Sequence, residues 1–203
     1  MKKREAPIDR KTKETAITGK LIIDGGGKTD IKIKVGFLKH MLDLFVFWGH
    51  FDLNLNVEGD LEVDQHHTNE DVGICLGKAF KKALGDCTGI NRMGSAEVPM
   101  DEAQAKVVID ISGRYAFSKK IFTEVQSAST AWLKEEGYSF NDGMDFIDSF
   151  AKNLNANIHV DISSGDDLHH ILEAVFKAFG KALDQATQID PRRKEVPSTK
   201  GII

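Results

Sequence analysis

Hydrophobic and polar residues alternate along several short segments of the chain, and this pattern predicts β-strands. Residues 31–35 carry apolar side chains at every second position, with lysines between them, and residues 51–57 alternate with Asp and Asn. Residues 158–162 show the same alternation, whereas residues 106–111 are mostly apolar. A period of two places the apolar side chains on one face of a sheet, so these strands are expected to be half-buried.

Other segments carry apolar residues three and four positions apart, which predicts amphipathic helices. These segments are residues 37–47, 66–83, 144–154 and 169–186. The polar, glycine-containing stretch at 127–141 is predicted to be a loop or an insertion.

Three consecutive glycines, Gly25, Gly26 and Gly27, connect a predicted strand near residues 16–23 to the strand at 31–35. A phosphate-binding loop would be followed by a helix and would carry Gly-Lys-Ser/Thr, and neither feature is present. We therefore predict a hairpin turn at these glycines.

The helices that begin with paired histidines belong to an internal repeat. Identical residues recur at a constant offset of 103, from His66 to His169. The identical pairs are His66/His169, His67/His170, Glu70/Glu173, Val72/Val175, Gly77/Gly180, Lys78/Lys181, Ala79/Ala182 and Ala83/Ala186. An offset of about half the chain length indicates duplication of a unit of about 100 residues.

The strands and helices combine with this repeat to predict an α/β (α+β) fold built from two similar halves. Each half is expected to be a mostly antiparallel sheet with helices on one face. The halves would cover approximately residues 10–95 and 96–190, with an extended tail at 191–203. We expect residues 1–203 to form a single pseudo-symmetric catalytic unit.

Composition excludes several classes of protein. The chain has 203 residues, of which 29% are charged, and a net charge of only −4, so neither a disordered polyelectrolyte nor a nucleic-acid binder is expected. It contains no apolar run of 18 residues, and its basic N-terminus lacks the apolar stretch of a secretory signal, so no membrane partner is expected. Cys75 and Cys87 form no CxxC motif and are predicted to be reduced thiols, which favours a cytoplasmic location.

The repeated His-His-x-x-Glu sequence predicts metal binding. On a helix, His66 and Glu70 share a face, whereas the adjacent His66 and His67 point about 100° apart. Adjacent histidines are therefore expected to serve two different metal ions. One such pair on a helix surface would be unremarkable, but its repetition at His169, His170 and Glu173 favours a site for Mn²⁺, Fe²⁺ or Zn²⁺.

Three further histidines are candidates of different strength. His159 alternates with Ile158 and Val160, so it is predicted to point away from their apolar face. His40 lies inside the apolar helical pattern and, from the residues alone, is more typical of a core histidine. His50 has no partner in the sequence and is predicted to lie at the surface.

These residues occur within a longer set of motifs that resembles the imidazoleglycerol-phosphate dehydratase family of histidine biosynthesis. The resemblance runs from about residue 10 to 203 and is poorest at 117–145. The matching motifs are Lys-Glu-Thr at 13–15, Phe-Leu-Lys-His-Met-Leu at 37–42, Gly-Asp-Leu at 59–61, His-His-Thr-Asn-Glu-Asp at 66–71, Gly-Ile-Asn-Arg at 89–92, Pro-Met-Asp-Glu-Ala at 99–103, Asp-Ile-Ser-Gly-Arg at 110–114, the segment from His169 to Gly180, and Val-Pro-Ser-Thr-Lys-Gly at 196–201.

The resemblance implies a hydro-lyase that converts D-erythro-imidazole-glycerol phosphate to imidazole-acetol phosphate in L-histidine biosynthesis. It also implies two Mn²⁺ ions per active site. Subunits of the family form trimers that assemble into a 24-subunit shell, and neighbouring subunits share the ligand helices.

The resemblance also assigns site residues. The implied metal ligands are His40, His66, His67, Glu70, His159, His169, His170 and Glu173. The implied catalytic residues are Glu14, His66, His67, Glu70, His169, His170 and Glu173. The implied substrate- and phosphate-binding residues are Glu14, Arg92, Arg114, Lys177, Ser198, Thr199 and Lys200. Without the resemblance, Glu14 and each of the basic residues would be typical of solvated surface charges.

The chain departs from the family pattern at several positions. Lys39 stands where the family usually has Asp, Trp48 where it usually has His, Tyr115 follows Arg114 without the common Pro, and Asp167-Leu168 replaces a common Asn-Asp. Trp48 would either narrow the substrate site or pack structurally against the strand that starts near Phe51. The departures leave open a non-catalytic metal-binding homologue of the family, and the His-His-x-x-Glu pair alone also permits a binuclear metallohydrolase.

Overall fold

The two halves of the chain contain the same elements in the same order. The computed structural model describes residues 3–122 and 137–203. The first half contains β1 (Glu5–Lys11), β2 (Thr15–Ile22), β3 (Thr29–Lys32), α1 (Gly36–Trp48), β4 (Asp52–Gly59) and α2 (His66–Leu84). The second half contains β5 (Met93–Met100), β6 (Ala103–Asp110), β7 (Ala116–Ile121), α3 (Phe140–Leu154), β8 (Asn157–Ser164) and α4 (Leu168–Thr187). Of the predicted loop at 127–141, residues 127–136 lie outside the described ranges, and α3 already begins at Phe140.

Each half forms one four-stranded sheet. The strand orders are β1-β2-β4-β3 and β5-β6-β8-β7, so the second sheet repeats the topology of the first. In each sheet the first two pairings are antiparallel and the last is parallel. The predicted duplicated fold with mostly antiparallel sheets is therefore confirmed.

The predicted hairpin at the three glycines is wrong. β2 and β3 are not neighbours, because β4 lies between them and pairs with both. The glycine segment instead crosses the start of β4, where the amides of Gly26 and Lys28 donate to Asp52 Oδ1 at 2.8 and 3.0 Å. A strand that arrives only after a helix can occupy the central position, and a local glycine pattern does not reveal it.

One face of each sheet is covered by helices. Leu53, Leu55 and Val57 on β4 are buried and alternate with exposed polar residues, as expected for a half-buried strand. α2 packs on the first sheet and α4 on the second. Within the described ranges, no helix combines the length and apolar character that a bilayer span requires.

The helices also connect the two halves. α1 of the first half packs against α4 of the second, and α3 of the second half packs against α2 of the first. A cluster of phenylalanines forms the centre of this arrangement, with ring centroids 4.8 Å apart for Phe45 and Phe179 and 5.4 Å apart for Phe80 and Phe150. The four rings come from α1, α4, α2 and α3 and are fully buried, so the main core lies where the helices of both halves meet.

Gly77 and Gly180, an identical pair of the repeat, lie at the two helix crossings between the halves. A Cβ atom on Gly180 would lie 2.4 Å from the carbonyl oxygen of Phe45, and one on Gly77 would lie 2.5 Å from that of Phe150. Glycine inside a helix costs about 0.5–1 kcal/mol relative to alanine. At these two crossings glycine lets the two helix backbones approach closely, because any Cβ atom would clash with the facing carbonyl oxygen.

Candidate metal centre and active site

Three of the predicted metal ligands converge where α1 crosses α4. His40 lies in the first half of α1, and His169 and Glu173 lie one turn apart at the start of α4. Glu173 Oε1 is 2.7 Å from His40 Nε2 and 3.2 Å from His169 Nε2. Within the described residues these three form the one group of three potential ligands whose donor atoms all lie within 4.8 Å of one another. Two imidazoles and a carboxylate suit a first-row transition metal.

Glu173 is held as a carboxylate at this crossing. Burial raises its pKa, but the Lys177 ammonium and His40 outweigh this effect and lower the pKa to about 2. Lys177 Nζ lies 2.6 Å from Glu173 Oε2, and both side chains are largely buried. The ionised group is therefore ready to bind a cation at neutral pH.

An aromatic wall closes one side of this cluster. The ring of Phe37 meets His169 edge-on at a centroid distance of 5.1 Å, and Tyr138 stacks on Phe37 at the same distance. Tyr138 is fully buried, and its hydroxyl donates to Asn69 Oδ1 at 2.7 Å. The imidazole of His169 is thereby fixed by packing as well as by Glu173.

The neighbouring His170 makes a different contact. Its Nδ1 lies 2.8 Å from Glu102 Oε2, in the turn between β5 and β6. The rings of His169 and His170 are 6.3 Å apart and nearly perpendicular. The two adjacent histidines therefore point to separate partners, as the helical spacing predicts. The hydrogen bond with Glu102 raises the pKa of His170.

In the first half the corresponding histidines are more open. His67 Nδ1 lies 3.1 Å from Asp60 Oδ2, and this hydrogen bond raises the pKa of His67. His66 is exposed, and its Nδ1 lies 3.9 Å from Asp145 on α3. Burial raises the pKa of Asp145. Glu70 is exposed, and its carboxylate forms no hydrogen bond or ion pair within the described ranges.

His159 lies apart from the helices. It is exposed on β8, between the buried Ile158 and Val160, so it points away from the apolar face as predicted. Within residues 3–122 and 137–203 it joins no group of three potential ligands. One chain thus gathers three of the eight predicted ligands, pairs His66, His67 and His170 with separate carboxylates, and leaves Glu70 and His159 facing solvent.

Part of the predicted phosphate-binding set lines one cleft of about 580 Å³ near the C-terminal tail. Arg92, Ser198 and Thr199 contribute to it. Arg92 forms a two-point ion pair with Asp110, with N–O distances of 2.6 and 3.0 Å, and donates from Nη1 to the carbonyl oxygen of Pro197. Arg92 is thereby connected directly to the tail.

The remaining predicted substrate ligands lie elsewhere. Lys177 is beside Glu173, as described above. Arg114 and Lys200 are exposed, and Arg114 Nη1 donates to the carbonyl oxygen of Ser112 at 3.3 Å. Glu14 is exposed in the turn between β1 and β2, and its charge contributes to the raised pKa of His67.

Four carboxylates that contact the histidines are absent from the predicted site: Asp60, Asp101, Glu102 and Asp145. Asp60 lies within the Gly-Asp-Leu motif, and Asp101 and Glu102 lie within the Pro-Met-Asp-Glu-Ala motif, so the resemblance covers their positions without giving their roles. Asp145 lies in the stretch where the resemblance is poorest, and nothing in the pattern singles it out.

Comparison with known proteins gives a consistent result. The family model described as imidazoleglycerol-phosphate dehydratase matches residues 33–183. The Bacillus subtilis protein named imidazoleglycerol-phosphate dehydratase is 49% identical over 200 residues, covering 98% of this chain and 100% of the relative. A Geobacter metallireducens protein of the same name is 48% identical over 198 residues, covering 98% of each chain.

Solved structures agree with this assignment. The crystal structure of IGPD from Pyrococcus furiosus in complex with (S)-C348 has a TM-score of 0.76 and 35% identity, over 96% of this chain and 99% of that chain. Imidazoleglycerol-phosphate dehydratase from Staphylococcus aureus has a TM-score of 0.75 and 29% identity, over 91% and 100% of the two chains. The chain therefore belongs to the imidazoleglycerol-phosphate dehydratase family, hydro-lyases of histidine biosynthesis.

Proposed function

We propose that this chain catalyses the Mn²⁺-dependent dehydration of D-erythro-imidazole-glycerol phosphate to imidazole-acetol phosphate. The observation that carries the proposal is the convergence of His40, His169 and Glu173 across the α1–α4 crossing. This arrangement supports metal binding, and turnover is what separates an active dehydratase from a non-catalytic metal-binding homologue.

We further propose that two Mn²⁺ ions bind per active site. Their ligands would be drawn from the eight residues His40, His66, His67, Glu70, His159, His169, His170 and Glu173. The donor chemistry fits, because imidazoles with one or two carboxylates suit Mn²⁺. Bound metal would supply Lewis-acid polarisation and would orient the substrate.

The open half of the ligand set supports a site completed by other copies of the chain. His66, Glu70 and His159 are exposed, and a single chain does not bring them to the His40 cluster. We propose a homo-oligomer in which trimers assemble into a 24-subunit shell and subunits share ligands. The two halves of each chain would then act as one catalytic unit.

Protein side chains would handle the proton and the phosphate. Glu14 is proposed as the acid–base group, because it is solvent-exposed near His67 and its carboxylate has no competing hydrogen bond within the described residues. Arg92, Ser198 and Thr199, which line one cleft, are proposed to bind the phosphate. Arg114, Lys177 and Lys200 would add positive charge, with Lys177 becoming available when Glu173 ligates a cation.

The two cysteines support a cytoplasmic location for this chemistry. Cys75 and Cys87 are both free and buried. Burial raises the pKa of Cys75 to about 11, so its thiol is protonated and unreactive at neutral pH.

The test is turnover by chelator-treated protein after addition of Mn²⁺, with product followed by mass spectrometry. We expect Mn²⁺ to restore imidazole-acetol phosphate formation in the parent and not in His40→Ala. His50→Asn is the matched control, because His50 is exposed past the other end of α1 with φ of 55°, which Asn tolerates.

Two outcomes would contradict the proposal. Tight Mn²⁺ binding without turnover would support the non-catalytic homologue. Full turnover after verified metal removal would exclude a metal-dependent reaction.

A further inference from the structure

The repeat places two glutamates at the same position in the two halves. Glu14 immediately precedes β2, and Glu102 immediately precedes β6, so each lies in the turn between the first two strands of its sheet. Their side chains have different surroundings. Glu102 contacts His170, whereas the Glu14 carboxylate makes no hydrogen bond within the described ranges.

A second pair of equivalent positions shows the reverse pattern. Asp60 follows the last residue of β4, and Gly165 follows the last residue of β8. Asp60 contacts His67 Nδ1 at 3.1 Å. Gly165 has no side chain with which to contact His170, and its φ of 137° favours glycine.

Each half therefore supplies one carboxylate to Nδ1 of the second histidine of its pair, but from opposite positions. The contact is to Nδ1 in both cases, at 3.1 Å for His67 and 2.8 Å for His170. In the first half the carboxylate belongs to Asp60, directly after β4. In the second half it belongs to Glu102, directly before β6. The same contact is thus present twice, by two different routes.

Glu102 is itself firmly held. Its Oε1 accepts the backbone amides of Asp166 and Asp167 at 3.3 and 3.1 Å, which leaves Oε2 directed at His170. Asp167 caps α4 through a hydrogen bond from the backbone amide of His170. The carboxylate, the helix start and the imidazole are therefore fixed relative to one another.

In the first half, the backbone connects the two positions instead. The amide of Asp60 donates to the carbonyl oxygen of Glu14 at 3.0 Å. This bond places Asp60 beside the turn that carries Glu14. In this half Asp60, and not the glutamate at the turn, thus contacts the imidazole.

We propose that Asp60 and Glu102 are positioning residues that orient His67 and His170, and that the contribution of Asp60 is what leaves Glu14 free for proton transfer. This inference rests on the proposed function and deepens it. A carboxylate on Nδ1 fixes the tautomer in which Nδ1 carries the proton and Nε2 is the free donor atom. Nε2 of His67 is then available to ligate metal, and Nε2 of His170 would ligate metal in place of its 3.7 Å contact with Asp101 Oδ2.

The test compares Glu102→Gln with Glu14→Gln, the two equivalent glutamates. We expect Glu102→Gln to weaken Mn²⁺ binding by about 10–100-fold, measured by chelator competition without substrate, and to retain most of kcat at saturating Mn²⁺. We expect Glu14→Gln to bind Mn²⁺ like the parent and to lose about 10²–10⁴-fold in kcat.

Two further variants make the result specific. Glu97→Gln is the matched control, because Glu97 is an exposed glutamate on β5 that bonds Gln104 and no histidine. Asp60→Asn repeats the measurement of Mn²⁺ affinity in the first half. It tests the positioning role if Glu102→Gln does not fold in the presence of chelator. A purely structural role would lower the melting temperature without changing Mn²⁺ affinity.

The outcomes separate this inference from the proposed function. Mn²⁺ affinities of Glu102→Gln and Asp60→Asn within twofold of the parent overturn the positioning role. Weakened Mn²⁺ binding in Glu14→Gln, equal to that in Glu102→Gln, overturns the division of labour. A parent that binds Mn²⁺ without turnover contradicts only the proposed reaction, because the affinity measurement uses no substrate.

Discussion

The two paired-histidine helices share a sequence motif but differ in their surroundings. In the second half, His169 and Glu173 lie against α1 and meet His40, with Lys177 one turn further along α4. In the first half, His66 is exposed, and the helix that packs nearby is α3, which presents Asp145 at 3.9 Å. The difference teaches that a repeated motif predicts the kind of ligand, whereas the helix packed against it determines how complete the site is within one chain.

The largest effect on activity is expected from removing one histidine from each of the paired-histidine helices, α2 and α4. If both helices ligate metal in the assembled protein, His66→Ala and His169→Ala will each lower kcat/KM by at least about 10⁴-fold, about 5 kcal/mol of transition-state stabilisation. Metal content by elemental analysis should fall in both variants. A His66→Ala protein with normal metal content and turnover would mean that the open half is not a metal site.

Metal removal should break the assembly while leaving the closed cluster folded. His40, His169 and Glu173 meet within one chain, whereas exposed ligands such as His159 would need a neighbour. If the protein forms the proposed 24-subunit shell, we expect chelator to convert it into smaller species with unchanged far-UV circular dichroism, measured alongside light scattering. A large particle that persists after verified metal loss would contradict the sharing of ligands between subunits.

The free energy of unfolding should distinguish Glu173 from Glu70, its equivalent in the first half, even where activity does not. Glu173→Gln leaves the largely buried Lys177 ammonium without its partner, so the metal-free protein should lose about 3 kcal/mol of unfolding free energy. Glu70→Gln changes an exposed residue and should alter it by less than about 0.5 kcal/mol. Urea denaturation in chelator measures both, and equal losses would mean that the two environments are energetically alike.

Glu173 should also make the free energy of unfolding of the metal-free protein depend on pH. Its folded-state pKa of about 2 lies below the ordinary value of 4.5, so its contribution to stability is present above pH 4.5 and is lost as the pH falls toward 2. In metal-free protein, the parent should therefore lose more stability than Glu173→Gln across this interval. Parallel curves for the two proteins would argue against an ionised Glu173.

The smallest effect is expected at Trp48. Its indole is 38% exposed at the end of α1, 5.3 Å from Lys181 Nζ and 5.6 Å from the ring of Phe47, and neither of these neighbours is a predicted site residue. We therefore expect Trp48→His to change kcat/KM by less than about threefold, about 0.6 kcal/mol. A tenfold increase would instead show that the indole narrows a site, one formed with a neighbouring copy.

Lys39, the departure beside His40, also has a local explanation. Its ammonium pairs with Asp43 one turn along α1, at 2.7 Å, rather than with His40. The pair lies partly exposed on the helix surface. Both departures therefore have local partners within the chain.

The sequence predicted those elements whose apolar pattern is strong, including all four helices of the described chain and the strands β2, β4, β6 and β8. It did not predict β7, where most residues are exposed and Lys119 and Lys120 interrupt any alternation. It also did not predict β1 and β5, which contain Pro7 and Pro99 and lie at sheet edges. Proline is tolerated there because an edge strand has a free side, but it weakens the strand signal.

Within the site, the residue types were predictable and the partners were not. The spacing of His169 and His170 indicates that their rings diverge, and the structure agrees. The meeting of His40 with Glu173, 133 positions apart, depends on how α1 crosses α4. Glu102 reaches His170 because one turn of a sheet lies beside one helix start, and only the folded chain creates that proximity.

The crossings marked by Gly77 and Gly180 bear on how such a repeat can exist at all. The first helix of each half packs against the last helix of the other half. A half-length chain alone would therefore leave the packing surfaces of both its helices exposed to solvent. Two identical half-length chains related by a twofold axis would cover these surfaces, because the first helix of each chain would pack on the last helix of its partner. Joining the halves through the short segment between Leu84 and Met93 turns that encounter between molecules into an intramolecular one, and the association no longer depends on protein concentration.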